Sequence, residues 1–250
     1  MSGALRARLS LGLVLGGLLA CAWWYLAGMH MAPPELFARM SRAHASPWTL
    51  EELIAVFIMW SVMMSAMMLP AAAPMVFTYG RLIRGRGLER HLRLTLVFVA
   101  GYVLVWAIYS LLAAAAQLAL QRAALLSAGG WSTDSLLSAA LLAVAGLFQF
   151  SRWKYACLDK CRTPVGFLLY EWRPGSQGAL MMGARHGLYC VGCCWAYMAL
   201  MFVLGVMNVW WMLALTAFVV VEKLAPAPVL TGRIAGVVAL GGAVAVWSVG

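Results

Sequence analysis

Long apolar runs, separated by short segments rich in arginine, constrain this 250-residue chain more than any other feature. An α-helix needs about 20 apolar residues to cross the hydrocarbon core of a bilayer. Seven such segments are legible, at 9–29, 52–79, 94–120, 135–150, 188–207, 209–224 and 234–249. The fourth and sixth are short for a full crossing. The second contains Pro70 and Pro74, which predict a kink. Hydrophobic residues make up 64% of the chain and charged residues 10%, whereas about a quarter of a soluble domain is charged. Alternating runs of about ten residues, the mark of a membrane barrel, do not occur. The expected fold is all-α: a polytopic transmembrane helix bundle of about seven spans. Residues 1–250 would form a single domain, with 151–187 as a cytoplasmic loop.

The net charge of +10 raises the question of nucleic acid. The basic residues sit in short segments between apolar runs, and no basic face with interleaved aromatics is present. That distribution reports topology instead. With the N-terminus inside, the outer segments hold only Arg39, Arg42 and Arg122 of the 18 Lys and Arg residues. The other 15 are inside, the C-terminus is outside, and the expected location is the bacterial inner membrane as a multi-pass protein in contact with lipid. The first segment resembles a signal peptide in position. Its apolar run is longer than the usual 7–15 residues and no A-x-A site follows. Leu18-Leu19-Ala20-Cys21 has some likeness to a lipoprotein cleavage site, but Trp23, Trp24 and Tyr25 suit an interfacial belt better. An uncleaved helix is expected.

Five of the six cysteines fall in two clusters. Cys157 and Cys161 form CLDKC; Cys190, Cys193 and Cys194 lie in CVGCCWAYM, where an apolar helix is expected to begin. On a helix, residues three and four apart share a face. Each cluster would therefore converge, with His186 one turn before Cys190. Both clusters would lie at the inner membrane edge, facing a cytosol that keeps thiols reduced. Arg152, Lys154, Lys160, Arg162 and Arg185 surround them in sequence and would favour thiolates. Thiolate and thioether ligands select Cu(I) or zinc over hard cations. The spacings match neither a zinc ribbon nor a haem attachment site. A buried packing role is the plain alternative for any one of these cysteines.

The second segment adds Met63, Met64, Met67 and Met68, with Met59 and Met75 on either side; Met198 and Met201 follow the second cysteine cluster. Thioethers are neutral, so they sit in a bilayer without the cost of a charge. They bind Cu(I), and a stripe of them would give a soft cation intermediate stations. The alternative is that methionine serves as adaptable packing. Glu222 and Lys223 close the sixth segment, as a site within the membrane or as a helix-end anchor. His30 and His44, near Glu35, Glu51 and Met31, offer weaker outer ligands. His91 reads as solvated, and Gly232-x-x-x-Gly236 as a close helix contact.

Several blocks together carry a resemblance. They are WSVMMSAMMLPAAAPM (60–75), GYVLVW (101–106), AGLFQFSRWKYACLDKCRTP (145–164), GARHGLYCVGCCWAYMALMFVLGVMNVWWM (183–212) and EKLAP (222–226). The chain resembles a bacterial family of predicted metal-binding integral membrane proteins, some of whose members are linked to copper supply for tyrosinase-type oxidases. The resemblance implies a polytopic inner-membrane protein in which Cys157, Cys161, Cys190, Cys193 and Cys194 are the cysteine blocks. Met63, Met64, Met67 and Met68 would be the methionine block. The segment SRWKYACL departs from the family, where threonine, proline and leucine more usually precede the lysine.

Three functions follow as expectations. The leading one is Cu(I) handling through Cys157, Cys161, Cys190, Cys193, Cys194, His186, Met63, Met64, Met67, Met68 and Met198, with delivery to a cuproenzyme or metallochaperone partner or movement across the membrane. No P-loop is present to drive an ATP pump. The second is a membrane thiol–disulfide oxidoreductase using Cys190-x-x-Cys193 at a helix N-terminus. The third is a structural zinc clamp built from four thiols. A catalytic residue set is not apparent, and an enzyme is the less favoured class.

Overall fold

The structure is a computed structural model and describes residues 3–31, 49–83, 88–127, 132–206 and 208–249. Among these the chain is helical almost throughout, with one isolated antiparallel bridge between Leu126 and Ser132. The helices are α1 (Gly3–Met31), α2 (Leu50–Leu82), α3 (Leu88–Arg122), α4 (Ser135–Phe148) and α5 (Arg152–Arg162). Then come α6 (Pro164–Tyr170), α7 (Gly175–Ala199), α8 (Met201–Leu204), α9 (Val209–Leu224) and α10 (Pro228–Val249).

Local chemistry marks the helix starts. Thr49 and Glu52 form a reciprocal capping box at α2. Asp134, Ser151 and Asn208 cap α4, α5 and α9 by accepting from backbone N–H groups of the first turn. Pro164 opens α6, where its missing N–H costs nothing. Pro70 and Pro74 lie inside α2, which continues through both.

Among the described residues four helices are long and apolar enough to cross a membrane: Leu50–Leu82, Arg90–Arg122, Gly175–Leu204 and Pro228–Val249. A fifth crossing would be α4 and α5 taken together, bent by 65° between them. With 14 and 16 residues, α4 and α9 are each shorter than the roughly 20 a straight span needs. The apolar stretch Gly12–Gly28 of α1 is also short. Residues 151–187 hold helices α5, α6 and the start of α7, which turn Leu158, Cys161, Phe167, Leu168, Ala179 and Met182 inward.

The core lies between α2, α3 and α7, and α3 against α7 is the most extensive helix pair. Glycines make that pairing close. A Cβ on Gly101 would run into the Leu180 carbonyl, and one on Gly183 into the Phe98 carbonyl. A similar seam joins α4 to α10, where a Cβ on Gly236 would stand 3.0 Å from the Gly146 carbonyl oxygen. Small residues let helix backbones approach closely. The opposite surfaces are apolar: Leu104, Ile108, Val237, Val238 and Trp247 are all exposed. His91 departs from its solvated expectation; it is buried, with Nε2 2.9 Å from the Gly80 carbonyl. His44, Glu35, Met207 and the side chain of His30 lie outside the described residues.

Candidate metal centre

The cysteine clusters meet where α5 packs on α7. Cys161, on the inner face of α5, is 7% exposed; Cys190, Cys193 and Cys194 are 0–1% exposed. Cys193 Sγ lies 3.3 Å from Cys194 Sγ and 3.9 Å from Cys161 Sγ. Its thiol also donates to the Cys190 carbonyl at 3.2 Å. Cys157 is half-buried and lies over Gly192, whose missing Cβ would stand 2.7 Å from its sulfur. All six cysteines are free thiols, and Cys21 on α1 is exposed.

The 3.9 Å separation of Cys161 and Cys193 suits a shared soft ion, whereas the 3.3 Å between Cys193 and Cys194 is a direct thiol–thiol contact. Two thiolates bound 2.3 Å from one metal stand about 3.8 Å apart at a tetrahedral angle and about 4.6 Å apart in line. Cys161, Cys193 and Cys194 form a chain of sulfurs, and Cys190 is in hydrogen-bond contact with all three. Among the described residues no three His, Cys, Asp or Glu side chains surround one point as a metal's ligands do. Cys193 turns back to the carbonyl one turn before it, and Cys190 takes further partners from two other helices.

Cys190 is held from two other helices. Lys223 Nζ, on α9, donates to its sulfur at 3.1 Å. The Tyr102 hydroxyl, on α3, lies 3.1 Å from the same sulfur and donates to the Met68 carbonyl of α2 at 3.0 Å. The cysteine cluster is thereby tied to the methionine helix. Met63, Met64, Met67 and Met68 are fully buried, as is Met198, and all share one core with Cys190, Cys193 and Cys194.

His186 stands one turn before Cys190, buried among Phe98, Tyr102 and Phe167 at ring-centroid distances of 6.4, 5.5 and 5.7 Å. Neither of its ring nitrogens has a hydrogen-bond partner. A buried polar atom left unpaired costs roughly 1–3 kcal/mol. The unpaired nitrogens are therefore a second donor group beside the sulfurs.

Two sequence expectations are corrected here. Cys190 lies 15 residues beyond Gly175, the first residue of α7, and Cys194 five before Ala199, its last. The cluster is mid-helix and does not open a helix, so the favourable field of an N-terminus, which fades within the first turn, does not reach it. Four of the five cations expected around the thiols are engaged elsewhere, and Arg152 is exposed. Lys154 is fully buried and ion-paired with Glu222, with Gln149 Oε1 and Tyr197 Oη accepting from the same ammonium. Arg162 donates to the carbonyls of Lys223 and Ala225. Arg185 pairs with Glu171, and the Lys160 ammonium lies over the Tyr170 ring. Among the described residues, the cation that donates to a sulfur is Lys223. Its sequence signal was an ionisable pair closing an apolar segment. The partners of that pair lie 68 and 33 residues earlier and could not be read from position.

No curated protein sequence and no solved structure matches the chain. The sequence model of a family described as PpoB2, copper chaperone, matches residues 57–246. That stretch holds every cysteine of the buried chain, the methionine helix from Phe57 onward, and Tyr102, Lys154, Glu222 and Lys223. The chain belongs to the PpoB2 copper chaperone family.

Proposed function

We propose that the chain is an integral membrane copper chaperone. It holds Cu(I) on two thiolates at a time from the set Cys161, Cys190, Cys193 and Cys194 and passes it to a partner cuproenzyme. Cys157, the more open thiol, is the receiving or releasing station. His186 and the thioethers of Met63, Met64, Met67, Met68 and Met198 are neutral ligands along the same core. The single observation that carries this reading is the buried sulfur chain, with contacts of 3.3 and 3.9 Å, in a chain of the copper chaperone family. Transfer is ligand exchange: a bond to an incoming sulfur forms as one to a leaving sulfur breaks, and copper stays Cu(I). Soft sulfur donors suit that ion. The protein lies in a bacterial inner membrane with the N-terminus inside. Its seven crossings include the short α4 and α9, packed against longer neighbours.

The oxidoreductase alternative loses its main support, since Cys190 and Cys193 lie mid-helix. Elemental analysis of protein purified in reducing buffer separates the readings. Copper present in the wild type and lost in Cys190→Ser/Cys193→Ser is the expected result. Zinc in its place points to a clamp between α5 and α7. A protein that takes up no metal even when Cu(I) is offered ends the proposal.

A further inference from the structure

A buried cation at the sulfur chain has no counter-charge of the ordinary kind. Lys223 is 6% exposed, and its ammonium lies 3.1 Å from Cys190 Sγ. Among the described residues there are two ion pairs, Lys154–Glu222 and Arg185–Glu171, and Lys223 is in neither. Its neighbour Glu222 faces the other way, toward Lys154 and Tyr197. Lys154 and Glu222 cancel, which leaves one uncompensated positive charge, beside Cys190. A buried charge is tolerated only when paired, so its partner has to come from the sulfurs.

We infer that Lys223 sets the charge selectivity of the copper site: its ammonium neutralises a Cu(I) ion held by two thiolates and thereby disfavours divalent metals. This rests on the copper reading above. Cu(I) with two thiolates carries one negative charge, and the ammonium brings the assembly to zero in a water-poor interior. Zn(II) with the same two thiolates beside the same ammonium keeps one net positive charge. It reaches neutrality only with a third thiolate, and three acidic ligands do not converge here among the described residues. The second positive unit on zinc meets the ammonium's field at a distance of a few ångströms. In a protein interior that is worth about tenfold or more in relative affinity. Tyr102 completes the device by holding Cys190 from α3 while Lys223 holds it from α9.

The test compares detergent-purified wild type with Lys223→Arg, Lys223→Gln and Lys223→Met. Competition titrations with Cu(I) and with Zn(II) give the ratio of the two affinities. Replacing a buried ion by a well-packed apolar side chain is often tolerated, so the Met variant is the primary neutral one. The expected result is a ratio near wild type for Arg and a preference for Cu(I) over Zn(II) reduced about tenfold or more for Gln and Met. An unchanged ratio in a folded neutral variant overturns the inference. So does an equal loss of both metals, or misfolding of both neutral variants, since each makes Lys223 structural only. Wild-type protein that binds no Cu(I) defeats the functional reading instead, whatever the variants do.

Discussion

At the scale of single residues, the notable feature is that Glu222 and Lys223, adjacent on α9, serve different clusters. Glu222, 2% exposed, neutralises Lys154; Lys223 faces Cys190. A buried pair of this kind adds little net stability over an apolar one, but breaking it strands a charge. Glu222→Leu alone is expected to destabilise the folded protein by about 3–5 kcal/mol. Glu222→Leu combined with Lys154→Met removes both charges and recovers most of that loss. Thermal unfolding in detergent checks this, and a double variant no better than the single one refutes the pairing argument. Glycine at position 232 belongs to the same cluster: a Cβ there would stand 2.8 Å from Glu222 Oε1 and 3.0 Å from Lys154 Nζ.

At the scale of helices, the α3–α7 seam decides whether Tyr102 meets Cys190. Gly101 and Gly183 bring the two backbones together, and the Tyr102–Cys190 contact crosses that same seam. Gly183→Ala would place a methyl against the Phe98 carbonyl, where backbone must move. Overpacking at such a site costs about 1–3 kcal/mol. The expected outcome is a lower unfolding temperature together with weaker Cu(I) retention, measured by competition with a Cu(I) chelator. A lowered unfolding temperature with unchanged retention would show that the seam does not position the site.

At the scale of the whole molecule, the sulfur sites differ in access. Cys21 is exposed, Cys157 half-buried, and Cys161, Cys190, Cys193 and Cys194 buried. A small membrane-permeant maleimide should label Cys157 slowly, and Cys161, Cys190, Cys193 and Cys194 only after denaturation. Mass spectrometry of the native protein over time reads this directly. Rapid native labelling of Cys193 would contradict the closed core. Loading with Cu(I) should slow Cys157 further if that thiol is the exchange station.

The sequence by itself determined the all-helical class and the grouping of cysteines and methionines, because helical spacing and apolar length are local properties. It also contained the blocks that carry the family, and Gly236 of the glycine pair does mark a close helix contact. Helix limits near the site were misread for a physical reason. Polar and charged residues at 175–187 look like a loop in a hydropathy pattern, whereas α7 uses them to pack against α3 and α5. Only the tertiary structure decided which cation reaches the thiols. Arg152, Lys154, Lys160, Arg162 and Arg185 are near the cysteines along the chain, yet a charge acts through space. It is Lys223, brought in by α9, whose ammonium rests on Cys190.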